Sequence, residues 1–224
     1  MSLNTPVAGR GRWIAFGGAG ILAILAAFVV DDAVTGACVH PVHDTARRMA
    51  ELLSQYGDWP PILLAGLLLV TVLVKCRRIG TARLLLLVLA AGLLTGLGST
   101  LIRSTVGRTR PNAAAPQGFY GLRHESRWII GQAEFSSFPS GHTAVWAGLA
   151  GAAWFRRRWW AVAFLAGGAA VAWSRMALGC HHFSDVTASL VWGLAVGPWV
   201  CNLLEKHVHS LWSGMGLPSS DPNP

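Results

Sequence analysis

Phe138-Pro139-Ser140-Gly141-His142 runs directly into Thr143–Phe155, an unbroken stretch of apolar and small residues. Pro139 stops any helix before it, and Ser140 suits the N-cap of a helix that starts there. Gly141 lets the backbone approach a ligand closely. His142 falls in the first turn, where free N–H groups favour an anion. A titratable imidazole beside an anion-binding helix start suits phosphate chemistry. A capped helix start with an incidental histidine accounts for the same five residues, so the surrounding chain has to decide.

Outward from this stretch the composition is that of a membrane protein. Of 224 residues, 53% are hydrophobic and 12% charged, about half the charged fraction of a soluble domain. The apolar residues fall in runs that predict six spans: 13–30, 60–74, 84–102, 143–155, 159–177 and 185–204. The first run, behind a basic start, also has the outline of a signal peptide; further spans follow, and it is read as an uncleaved helix. Between the first two spans, His43 to Tyr56 carries apolar residues at near-helical spacing, which predicts a short helix on the membrane surface. The organisation expected is a cytoplasmic N-terminus (1–12), a six-span domain (13–204) and a cytoplasmic tail (205–224). Gly92 and Gly96 in the third span give a small-xxx-small spacing that suits close helix packing inside the protein.

The formal net charge is +8. The basic residues lie between apolar runs, so the charge reads as topology and as affinity for anionic head groups, not for nucleic acid. Short loops with Lys75, Arg77, Arg78 and Arg83, and with Arg156, Arg157 and Arg158, alternate with loops on the opposite side. The positive-inside rule makes the first set cytoplasmic, together with both termini. Phe138–His142 then faces outward, as expected of a bacterial inner-membrane protein with its site on the periplasmic face. Arg103, Arg108, Arg110, Arg123 and Arg127 also lie outward and break the rule, which suggests that they are held for a function. Cys38, Cys76, Cys180 and Cys201 show no CxxC spacing. Cys38 and Cys180 fall on the oxidising side and could pair; free thiols are the expectation.

Three sets of polar residues share the outer face: Arg103 to Pro111, Pro139 to His142, and Ser174-Arg175 with His181 and Asp185. Ionisable residues at membrane depth are costly and mark function. Arginine forks match phosphoryl oxygens, and Arg103, Arg110 and Arg175 can supply them from three directions. The Ser140 hydroxyl and the Gly141 N–H add neutral donors. His181 and Asp185 are four apart, so on one helix face Asp185 can hold one imidazole nitrogen while the other attacks phosphorus. His142 can protonate the leaving oxygen and then activate water. His142, His181, His182 and Asp185 could instead bind zinc, but three converging arginines argue against a cation. His40, His43, His124, His207 and His209 have weaker claims, and His182 is expected to pack or to contact head groups.

These residues make the chain resemble the type 2 phosphatidic acid phosphatase (PAP2) superfamily, in its membrane lipid phosphate phosphatase branch. That superfamily carries Lys-x6-Arg-Pro, Pro-Ser-Gly-His and Ser-Arg-x5-His-x3-Asp. Here they stand as Arg103-x6-Arg110-Pro111, Pro139-Ser140-Gly141-His142 and Ser174-Arg175-x5-His181-x3-Asp185. Arg103 replaces the usual lysine, keeping the charge but changing reach and hydrogen-bond geometry. The resemblance implies an all-α bundle of the PAP2/haloperoxidase-like type. It implies His181 as nucleophile, His142 as general acid and then base, and Asp185 as orienting carboxylate. Arg103, Arg110, Ser140, Gly141 and Arg175 would cradle the phosphate, with no metal or other cofactor. The expected substrate is a phosphorylated membrane lipid: undecaprenyl pyrophosphate, phosphatidylglycerophosphate, phosphatidic acid or the 1-phosphate of lipid A. Transfer of the phosphate to a second lipid is an alternative, and a non-catalytic lipid-binding or transport protein another. The loop 112–138, with Phe119, Tyr120, Arg123, His124 and Trp128, either selects the head group or anchors the loop at the interface.

Overall fold

The helix that follows Ser140 is the centre of the molecule. In the chain's computed structural model, residues 10–39 and 44–214 are described. Eight helices are found among them: α1 (Arg10–Val29), α2 (Asp31–Val39), α3 (Asp44–Tyr56), α4 (Trp59–Lys75), α5 (Ile79–Val106), α6 (Gly141–Trp154), α7 (Arg158–Ala177) and α8 (Phe183–Gly214). Beyond His142 and Thr143 in its first turn, helix α6 is built of Ala, Gly and apolar residues on every face. Such a helix belongs inside a bundle, and α6 is enclosed by α5, α7 and α8.

Small residues set these contacts. A Cβ on Gly92 would stand 2.7 Å from the Leu149 side chain, and one on Gly96 would stand 2.4 Å from Val145 Cγ2. The small-xxx-small pair of α5 therefore packs within the chain, against α6. On the other side a Cβ on Gly197 of α8 would lie 2.4 Å from the Gly148 carbonyl oxygen, so α6 and α8 touch backbone to backbone. Val88, Leu89, Leu149, Ala153 and Val200 fill the core away from the polar loops. Helix α4 buries none of its residues and exposes Leu64, Leu68 and Val72, as a lipid-facing helix does.

The helices α5, α7 and α8 are each long and apolar enough to cross a membrane. The pairs α1–α2 and α3–α4 also qualify if each is counted as one bent span, with bends of 65° and 62°. Each sequence-predicted span falls on a helix, but by length and composition three of the described helices cross, or up to five spans if each bent pair is one, against the six expected. The fourth, α6, has 14 residues, about 21 Å of helix against a hydrocarbon core of about 30 Å. The connection between the first two spans holds two helices instead of one, because Asp31–Val39 is also helical. Helix α3 has the predicted amphipathic character, with Met49, Leu52 and Tyr56 exposed. Residues 1–9, 40–43 and 215–224, and so His40, His43 and half of the tail, lie outside the described residues, as does the side chain of His209.

A polar cap covers one end of the bundle. Gly107 ends α5 in the left-handed region (φ 62°), where a Cβ would collide with the Gly121 carbonyl oxygen at 2.0 Å. The chain then runs through a two-stranded hairpin, β1 (Arg123–His124) and β2 (Arg127–Trp128), and a 3-10 turn at Ala133–Phe135. This hairpin is the only strand pairing of more than one residue pair among the described residues of an otherwise helical chain. Arg110 N–H donates to the Glu134 carbonyl (2.9 Å) and Ser137 N–H to the Arg108 carbonyl (3.0 Å), tying the first motif to the segment that leads into α6. All four cysteines are free thiols.

Candidate active site

The three polar sets meet at the capped end of the bundle. Arg103 comes from the last turn of α5 and Arg110 from the loop beyond it. Ser140, Gly141 and His142 come from the start of α6. Arg175 comes from the last turn of α7, and His181 and Asp185 from the α7–α8 junction. Arg103 lies against Gly141, whose Cβ position is 3.3 Å from Arg103 Nη1. Arg110 and Arg175 are both close enough to act electrostatically on Arg103. An anion placed among these three like charges would relieve their mutual repulsion.

His181 is fully buried. Its Nδ1 lies 2.7 Å from the Ser137 carbonyl oxygen, and Asp185 Oδ2 is 3.6 Å from the same nitrogen. A carbonyl oxygen only accepts, so Nδ1 carries the proton and Nε2 the lone pair. Burial holds the ring below its ordinary value of 6.5, which Asp185 opposes and Arg175 and Arg110 reinforce. The ring is therefore neutral and nucleophilic at Nε2. That atom is buried without a protein partner, as are Arg110 Nε and Arg175 Nε. Buried polar atoms are otherwise almost always paired.

Asp185 is held more tightly than sequence spacing suggests. Oδ1 accepts from Arg108 Nη1 (2.6 Å), and Oδ2 accepts from Ser137 Oγ (2.5 Å) and from His182 N–H (2.8 Å). Ser140 sits at the N-cap position but its side chain makes no capping bond; its buried hydroxyl accepts from Thr143 Oγ1 at 3.1 Å. It is left able to donate to a ligand. His142 Nε2 lies 3.4 Å from Asp58 Oδ1, and Arg175 Nη1 donates to Ser54 Oγ. His182 packs inward, with Nε2 3.2 Å from the Thr109 carbonyl.

The structure thus gathers all eight residues that the sequence singled out. It adds Ser137, Asp58, Ser54, Arg108 and Asp31, which sequence reasoning did not assign to the site. Asp58 had a signal: an acidic residue before Trp59-Pro60-Pro61 is a helix N-cap pattern. Asp31 had another, as a carboxylate at the end of an apolar run. Ser137 had none: its carbonyl makes the contact to His181, and no local pattern pairs its hydroxyl with Asp185, 48 positions away. Among the described residues no three His, Cys, Asp or Glu side chains gather as a metal site.

The model of the PAP2 superfamily matches residues 81–208, which contain every one of these motifs.

The chain belongs to the PAP2 superfamily.

Two relatives match this PAP2 protein over 90% of its length. A lipid A 1-phosphatase of Rhizobium etli is 32% identical, with 91% of that protein covered. A lipid A 1-phosphatase of Rhizobium johnstonii is 30% identical, with 87% covered. Among solved structures, a transmembrane PAP2-type phosphatidylglycerolphosphate phosphatase from Bacillus subtilis superposes with a TM-score of 0.58. That match covers 87% of this chain and 96% of the other at 18% identity, and so speaks to the fold alone. The PAP2 protein is accordingly an integral membrane phosphatase with a mostly helical PAP2 fold.

Proposed function

We propose that this PAP2 protein removes the 1-phosphate from a lipid A-type glycolipid through a phosphohistidine intermediate. The observation that carries the mechanism is that, of the buried polar side-chain atoms without a partner, three belong to the residues gathered here: His181 Nε2, Arg110 Nε and Arg175 Nε. They are the nucleophile and two donors that a phosphoryl group would complete. The substrate class is supported by the two relatives, which are similar over nearly the whole chain.

In the first step His181 Nε2 attacks phosphorus and the bond from phosphorus to the lipid oxygen breaks. His142 gives that oxygen its proton. Arg103, Arg110 and Arg175, with Ser140 Oγ and the Gly141 N–H, stabilise charge on the three equatorial oxygens. In the second step His142 takes a proton from water, the water oxygen bonds to phosphorus and the phosphorus–nitrogen bond breaks. Inorganic phosphate leaves and His181 is neutral again. The positive cradle does the work that a cation would do, and it repels one.

The reading includes six spans: α1, α4, α5, α6, α7 and α8, with α3 on the membrane surface. Both termini and the Lys75–Arg83 and Arg156–Arg158 loops are cytoplasmic, and the site opens outward in a bacterial inner membrane. Cys76 is exposed in the cytoplasmic loop, so an impermeant thiol reagent should label it only after cells are opened.

Phosphate release from lipid A, phosphatidylglycerophosphate, phosphatidic acid and undecaprenyl pyrophosphate, measured with purified protein in detergent, tests the substrate. Lipid A should be the best of the four; faster release from any other discards the lipid A assignment. His181→Ala should abolish turnover and acid-labile phosphate on the protein.

A further inference from the structure

Asp31 opens α2 but works on α8. Its Oδ1 accepts from the Ser184 N–H at 2.9 Å, and its Oδ2 accepts from Ser184 Oγ (2.5 Å) and Arg108 Nη2 (2.6 Å). One turn along α2, Thr35 Oγ1 accepts from the Phe183 N–H at 3.0 Å. Two of the orphan donors at the start of α8 are thus satisfied by side chains of another helix. Asp185 is the next residue.

Arg108 completes the link. Its Nη1 donates to Asp185 Oδ1 and to Ser184 Oγ, both at 2.6 Å. The rings of Phe28 and Phe119 lie 5.0 Å and 4.9 Å from its guanidinium carbon. The guanidinium is fixed by carboxylates at its edge and by aromatic faces beside it. The side chains of Asp31, Arg108 and Asp185 are 6%, 8% and 0% exposed. One cation between two carboxylates leaves this buried assembly with one net negative charge. It stands next to His181, whose ring becomes cationic when Nε2 takes a phosphoryl group.

We infer that Asp31, acting through Arg108 and Ser184, is a positioning residue that aims Asp185 and supplies counter-charge for phosphorylated His181. The inference rests on the phosphohistidine reading above. It ties the α1–α2 arm, which lies outside the three signature motifs, to the chemical step. Asp31 touches none of the cradle arginines 103, 110 or 175, so phosphate binding should be indifferent to it.

The test compares wild type, Asp31→Asn and Arg108→Lys in detergent, reading kcat, KM and inhibition by vanadate. Arg108→Lys keeps the charge but cannot fork to both carboxylates, and it serves where Asp31→Asn fails to fold. The expected result is a loss of about 10–100-fold in kcat, the size seen when the hydrogen-bond partner that orients a metal-binding histidine is removed. KM and the vanadate inhibition constant should stay within about threefold, since no cradle hydrogen bond is lost. In an Asp185→Asn background, Asp31→Asn should cost less than about threefold more, because the two act as one unit. Unchanged kcat overturns the inference, as does a parallel loss of vanadate affinity or a full additive loss in the double variant. His181→Ala separates the two ideas. If it still turns over, the phosphohistidine reading falls; if it is dead while Asp31→Asn behaves as wild type, only the role of Asp31 falls.

Discussion

His142 Nε2 stands 3.4 Å from Asp58 Oδ1, and the same carboxylate oxygen caps α4 by accepting the Trp59 N–H at 2.8 Å. The proposed general acid is thereby tied to the elbow between α3 and α4. That elbow also touches the bundle through the Gly57 carbonyl, which accepts from Trp146 Nε1, and through Ser54 on Arg175. His142→Ala should slow hydrolysis of a lipid phosphate by about 10²–10⁴, and much less for p-nitrophenyl phosphate, whose leaving group needs no proton. Asp58 is 40% exposed at its side chain, so Asp58→Asn should cost only about 2–5-fold, with the same dependence on leaving group. Equal losses on both substrates would remove His142 from the role of acid.

The three cradle arginines should set affinity for an anion. Arg110 Nε and Arg175 Nε are buried with no partner in the protein, so the energy of pairing them is available to an anion. A hydrogen bond from a charged donor contributes about 1.5–3 kcal/mol. Arg110→Lys or Arg175→Lys should therefore raise the vanadate inhibition constant about 10–100-fold, because a lysine keeps the charge but not the fork. Inhibition assays at fixed ionic strength decide this; an unchanged constant would place the phosphate elsewhere.

The candidate site was legible in the sequence where the proposed chemistry demands particular side chains at fixed spacing. His142, His181, Asp185 and the three arginines fall into that class, and topology alone brought them to one face. The helices were readable as apolar runs. What escaped was the support. Asp31 and Ser184 are 153 positions apart, and no local pattern announces that one caps the other. The Ser137 carbonyl carries no side-chain identity at all. Helix α2 escaped because Asp31-Asp32 and Thr35-Gly36 have weak helix propensity; contacts with α7 and α8 hold it in place. Arg108 was conspicuous as a charge, but only the fold shows that it grips Asp185.

Stability should fall on the acid side. Burial lowers both His181 and His182 below 6.5, with Asp185 opposing in each case. Their folded values are thus below the unfolded one. Above about pH 6.5 both rings are neutral in either state and the full stability is present. As pH falls below that point the unfolded chain takes up protons that the folded chain refuses, and stability is lost through the window down to the folded values. Thermal unfolding in detergent should show Tm decreasing from about pH 7.5 to about pH 5.5. His182→Gln keeps a donor for the Thr109 carbonyl and should flatten the slope; an unaltered slope would mean that other groups set it.

The contact between α6 and α8 gives the most discriminating mutation. A Cβ on Gly197 would meet Gly148 O at 2.4 Å and Gly148 Cα at 3.0 Å. Both are helical backbone, which cannot move aside without shifting one helix against the other. A Cβ on Gly66 of α4 would meet Leu89 Cδ1 at 2.6 Å, but that is the end of a side chain that can change rotamer. Gly197→Ala should therefore cost about 1–3 kcal/mol, and Gly66→Ala much less. The former should also lower kcat, because α6 carries His142 and α8 carries Asp185, and misplacing reacting groups by about 1 Å costs on the order of 100-fold. Tm and kcat measured on the same preparations would show it: Gly197→Ala should lose both, and Gly66→Ala should keep kcat.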